Sequence, residues 1–234
     1  MTYRRLDPER TVATVAQLVR RVGERFPDSG LVHVCEELLA ISRETRETAE
    51  RIARPLVALR AAVGVVLLAI LGGLGYTLSQ FDLVIAARSF ADLVQILEAS
   101  MNAVALMGAA IFFLITIENR VKRSRALAAL HELRSMAHVI DMHQLTKDPK
   151  VPGLEAIDTP SSPSRTLDDY QLTRYLDYCS EMLSLLGKIA AVYAQTSADR
   201  EVTSAVNEVE VLTTGLSRKI WDKIQAIHAS HRPD

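Results

Sequence analysis

Aromatic side chains are scarce in this chain, at 5% of residues, although 49% of residues are hydrophobic. The apolar content is therefore mainly Ala, Val, Leu and Ile, the side chains of packed helices. Cysteine is scarcer still: Cys35 and Cys179 stand alone, with no CxxC spacing, and are expected as reduced, buried thiols. A net charge of −1 leaves no basic field over the whole chain, which excludes nucleic acid as the expected partner. No glycine-rich phosphate loop occurs, His33 stands alone, and no Ser/His/Asp or Cys/His set shares a local framework, so no catalytic residue is assigned and no cofactor is expected. The first residues, MTYRRLDPERTVATV, lack the apolar core and small-residue cleavage site of a signal peptide. Membrane insertion, if it occurs, is expected to rely on internal helices.

Two long apolar runs are what the chain does have. Ala61 to Leu78 is uncharged over its length, about the minimum needed to cross the hydrocarbon layer. Ala99 to Ile117 is likewise uncharged and sits inside a longer stretch, Ser89 to His143, with no proline and one glycine, Gly108. Ser89 and Asp92 suit the start of a helix there, and at 1.5 Å per residue the whole stretch would be a rod about 80 Å long. Only its first half suits lipid; the second half is rich in Arg, Lys and Glu. Arg43, Arg46, Arg51, Arg54 and Arg60 flank the first run, and Arg120, Lys122, Arg123 and Arg125 follow the second. Between the runs, Arg88 is the lone basic residue against Asp82, Asp92 and Glu98. The positive-inside rule then places both termini in the cytoplasm of a cell-membrane protein with two spans.

The remaining segments read as amphipathic helices. Val12, Val15, Val19, Val22 and Phe26 mark the first, ending near Pro27; Val34, Leu38, Ile41, Thr45, Thr48 and Ile52 mark the second. Pro55 should break the chain before the first span. Four prolines between His143 and Thr166 suggest an extended linker. Thr166 and Asp169 suggest a cap for a helix carrying Leu172, Tyr175, Cys179, Met182, Leu186 and Ile189. The last helix carries Val202, Val206, Val209, Leu212, Leu216, Ile220, Ile224 and Ile227, spaced by threes and fours, so the two should form an antiparallel hairpin with a coiled-coil-like seam. The expected fold is an all-α membrane protein: a two-span transmembrane hairpin whose long second helix continues into a cytoplasmic helical bundle. Its parts are a helical pair (1–54), the hairpin and stalk (55–145, spans about 57–78 and 99–117), a Pro-rich linker (146–165) and a C-terminal hairpin (166–234).

Three sets of residues are candidates for chemistry. On the second span, taking Asn102 as reference at 100° per residue, Gln95, Glu98, Ala109, Phe113, Thr116 and Arg120 all fall within about 40° of it. This stripe suits either a water-filled path, with Glu98 outside and Arg120 inside, or a packing seam against Ala58, Ala62, Ala69 and Gly73 of the first span. Packing is the preferred reading, because Phe113 would obstruct an open path. Arg120, Lys122, Arg123 and Arg125 suit anionic lipid headgroups as well as topology. His131, His138, Asp141 and His143 are weak candidates for a metal, since no Glu-x-x-His pair accompanies them. Thr159 to Ser164 suits phosphorylation or docking less well than a plain linker.

A two-span hairpin flanked by cytoplasmic helices is similar in layout to small two-span membrane effectors of bacterial conflict systems, and to the membrane modules of some oligomeric channels. The expected role is a non-enzymatic membrane scaffold or signalling protein that self-associates and offers its bundle to a cytoplasmic protein partner. The alternative is a homo-oligomeric channel or pore gated by that bundle.

Overall fold

A computed structural model of the chain describes residues 5–80, 90–149, 160–161 and 166–229. They form α1 (Pro8–Arg25), α2 (Gly30–Ala53), α3 (Val57–Gln80), α4 (Phe90–Leu145), α5 (Asp169–Thr196) and α6 (Arg200–Ala229). The chain divides into two units: Met1–Ala53 with Arg123–Asp234, and Arg54–Lys122 between them in sequence. Helix α4 is continuous from one to the other.

The first unit is a five-helix bundle made of α1, α2, the second half of α4, α5 and α6. The α1 cap is Asp7, whose Oδ1 accepts from the N–H groups of Glu9 and Arg10, and Pro8 fills the first helical position, where no donor is needed. Thr11, Val15, Leu18 and Val22 bury one face of α1, and Phe26 continues it. The inward face of α2 includes Val34, Leu38, Ile41, Thr45 and Ile52, as its spacing predicts, and Cys35 and Ala49 beside them. Asp168 caps α5, in a reciprocal box with Gln171, two residues away from the predicted Thr166. An acidic cap followed by Gln at the third position satisfies two backbone donors at once, which Thr166 does not reach.

Helix α5 is the centre of the bundle and lies against α1, α2 and α6. All six of its predicted inward residues are buried, and so are Leu176, Tyr178, Leu183, Leu185, Ala190, Val192 and Tyr193. A helix covered from several sides hides more than one stripe. Helices α5 and α6 form the predicted hairpin. At its closest point a Cβ on Gly187 would stand 3.2 Å from Thr213 Oγ1, which accounts for a glycine in mid-helix.

The second half of α4 adds Ala126, Leu130, Leu133, Met136, Ala137 and Ile140 to the same core. Ion pairs fix its register against α6: Arg123 with Asp199 and Glu201, Arg134 with Glu208, Asp141 with Lys219, and Asp148 with Lys223. Both partners advance together in number, so the two helices run parallel. Lys223 also donates to the carbonyls of Gln144 and Lys147, at 2.9 and 3.4 Å, and so closes the end of α4.

The second unit holds α3 and the first part of α4. The helical path stops after Ala53 and restarts at Val57, the break that Pro55 predicts. Each of the two helices contains a window long and apolar enough to cross a membrane, and neither window is buried at all. No described side chain of α3 is fully buried. Partial cover falls on Leu59, Val63, Leu67 and Ile70 of α3, and on Ala103, Met107, Ala110, Leu114 and Ile117 of α4. Steps of three and four on both helices mark these stripes as the seam of the pair. Ser89, the side chain of Asp92, residues 81–88 of the connection, and most of the Pro-rich stretch lie outside the described residues.

Candidate functional site

Charge is sparse in the second unit, and three of its charged side chains are gathered at one place. Arg60 is the one charged residue of α3. Its Nε and Nη2 donate to Glu118 of α4 at 3.0 and 3.2 Å, a two-pronged grip on one carboxylate. Lys122, one turn along α4, brings Nζ to 3.0 Å from the same group. Glu118 is only 7% exposed. The guanidinium of Arg60 first, and then the ammonium of Lys122, hold its carboxyl down at about 2. This cluster joins the beginning of α3 to α4 at the level where the uncharged run of α4 ends. In the sequence Arg60 stands only as one of the arginines flanking the first run, and Glu118 is not among the candidate residues. The signal was present: one cation on α3, one anion just past the apolar run of α4, and a lysine at i+4 from that anion.

The polar stripe of α4 lies elsewhere. Glu98, Asn102, Ala109, Thr116 and Arg120 are all exposed, and so are Ala58, Ala62, Ala69 and Gly73 of α3. The half-covered seam is centred about 100° around α4 from Asn102, at 100° per residue. The residues that meet within the pair are mostly large aliphatic ones, with Ala103 and Ala110 among them, and the stripes marked by Asn102 and by Ala58 lie outside that seam. Phe113, on the Asn102 stripe, is 64% exposed.

The basic run divides in two. Lys122 and Arg123 are engaged within the chain, the first with Glu118 and the second with Asp199 and Glu201 at 3.0 and 2.7 Å. Arg120 and Arg125 are exposed and have no ion-pair partner among the described residues.

The histidines do not converge. His131 and His138 are exposed; Asp141 is taken by Lys219 and Gln144; His143 is half-buried with its ring over the start of α2, where a Cβ on Gly30 would come within 3.0 Å of it. Loss of water and the nearby Lys147 push the His143 pKa down, favouring the neutral ring. Among the described residues no three His, Cys, Asp or Glu side chains are placed to hold a metal ion. Cys35 and Cys179 are free thiols in the core, both pushed up to about 12, chiefly by burial.

On the bundle, a groove of about 1150 Å³ runs between α1, α5 and α6. Arg10, Asp177, Lys188 and Trp221, the chain's one tryptophan, help to line it. No family model matches this chain, and neither curated proteins nor solved structures provide a significant match.

Proposed function

We propose that this protein is a two-span integral membrane protein with both termini in the cytoplasm, non-enzymatic, that self-associates and presents its helical bundle to partners as a scaffold or signalling element. One observation carries the reading. Two helical windows of membrane length leave side chains such as Leu68, Leu106 and Phe112 bare, in the same chain as a bundle with a large buried apolar core. Exposed apolar surface of that extent is unfavourable in water by about 25 cal/mol per Å², and lipid removes the cost. The Arg60, Glu118 and Lys122 cluster supports the same boundary, since paired charges suit the edge of the hydrocarbon layer. Arginines before the first span and after the second set the orientation. The pore alternative has less support, because Phe113 stands on the stripe that would have to be wet.

The test is extraction followed by labelling. Membranes containing the full chain should retain it through alkaline carbonate. Single added thiols, Ser79→Cys and Ser204→Cys, should react with an impermeant maleimide from opposite sides. Release by carbonate, or labelling of both from one side, would overturn the proposal.

A further inference from the structure

We infer that the Asn102 face of α4 is the contact between two copies of this chain, with Asn102 hydrogen-bonded to its own counterpart. The inference rests on the membrane reading above and names the face that self-association uses. Within the run from Ala99 to Ile117 the polar side chains are Ser100, Asn102 and Thr116. Ser100 has a partner within the chain. Thr116 donates its hydroxyl to the Phe112 carbonyl at 2.8 Å, so its proton is satisfied within the helix. Asn102 has no partner among the described residues, and it is exposed. In hydrocarbon an amide with two donors and an unpaired carbonyl demands a partner. Helix α3 does not supply one, because the seam it shares with α4 is on another side.

A second copy fits that demand better than a different partner. Gln95, Asn102, Ala109 and Thr116 recur every seven residues, the repeat of a left-handed helix pair, and Leu106 and Phe113 stand on the same stripe. Copies inserted in one orientation bring identical residues to the same depth. About a two-fold axis along the membrane normal, Asn102 meets Asn102, and an amide is complementary to itself: each carbonyl accepts from the other's amino group. Ala109, one repeat further in, leaves room for close approach of the backbones. Glu98 and Arg120, at the two ends of the stripe, stay at the aqueous edges.

The full chain in phosphatidylcholine vesicles provides the experiment. Ala109→Cys, exposed on the same stripe, should cross-link to itself on mild oxidation as a pair with Asn102 left in place. Val104→Cys, 65% exposed but about 200° around the helix from Asn102, should not. Asn102→Leu should weaken association about tenfold, read by energy transfer between labelled copies. The native thiols, buried in the core, should not contribute. Equal cross-linking at both positions, association unchanged by Asn102→Leu, or an assembly larger than a pair would each overturn the inference while leaving membrane insertion standing. Release of the unmodified chain by carbonate would remove the membrane reading itself, and this contact with it.

Discussion

Helices α3 and α5 make the clearest contrast in the molecule. The 28-residue α5 carries Asp169, Arg174, Asp177, Glu181 and Lys188, yet it is the buried centre of the bundle. The 24-residue α3 carries one charge, Arg60, yet none of its described side chains is fully buried. The more apolar helix is the more exposed one. That inversion is the observation on which the proposed membrane reading rests. A soluble core helix needs polar residues where it meets solvent and where it signals register, as Arg21 of α1 does by gripping Glu181 at 2.7 and 3.1 Å and lying over Tyr178. A helix facing hydrocarbon needs none, so its surface says little about which neighbour it meets.

The sharpest way to break this contrast is to delete the same side chain from both units. Leu183→Ala removes a fully buried side chain from α5, and should lower bundle stability by about 3 kcal/mol in a denaturant titration in mild detergent. Leu68→Ala, at a position 70% exposed on α3, should change it by less than about 0.5 kcal/mol. Equal losses would mean that α3 is packed into the fold after all, and the contrast would fail. A step smaller is Lys223→Met. It keeps the aliphatic stem but releases the carbonyls of Gln144 and Lys147 and the carboxylate of Asp148. A loss of about 1–2 kcal/mol is expected, with faster hydrogen exchange over the last turn of α4. An unchanged exchange rate there would show that α4 and α6 are held by apolar contact alone.

Much of the bundle was legible because its apolar residues keep helical period and its ends carry chemical marks. Val15, Val22, Leu38, Ile41, Met182 and Ile224 are where spacing puts them. Leu183 and Tyr193 were not read, because a single stripe was assigned to α5, and only the number of neighbours decides how many sides a helix hides. Pairings such as Arg134 with Glu208 are not legible in the sequence, since a charge on a helix surface does not reveal the helix opposite. In the second unit the runs were plain but the seam was not. Small residues suggested close approach, whereas Leu67 and Met107 fill the half-covered side instead. With Leu, Val and Ala on every face, period alone cannot choose among them.

The smallest expected effect concerns Glu118, and it tests whether charge helps to hold α3 against α4. Unfolded, this carboxyl titrates near 4.5; folded, it is held at about 2. A depressed folded value means a contribution that is fully present above about 4.5 and is lost as pH falls toward about 2. Because Arg60 is 57% exposed, water screens much of the pair, and the contribution should be modest. Glu118→Gln should therefore be near-neutral at low pH and measurably destabilising at pH 7, read as hydrogen exchange in the first turns of α3. Arg60→Ala should be the worse change at pH 7, since it leaves the most covered charge, the carboxylate, with Lys122 alone, whereas the glutamine leaves the more exposed cations Arg60 and Lys122 without their anion. If the two variants match at every pH, the grip between Arg60 and Glu118 contributes nothing, and the apolar seam of Leu67 and Met107 must hold α3 against α4 unaided.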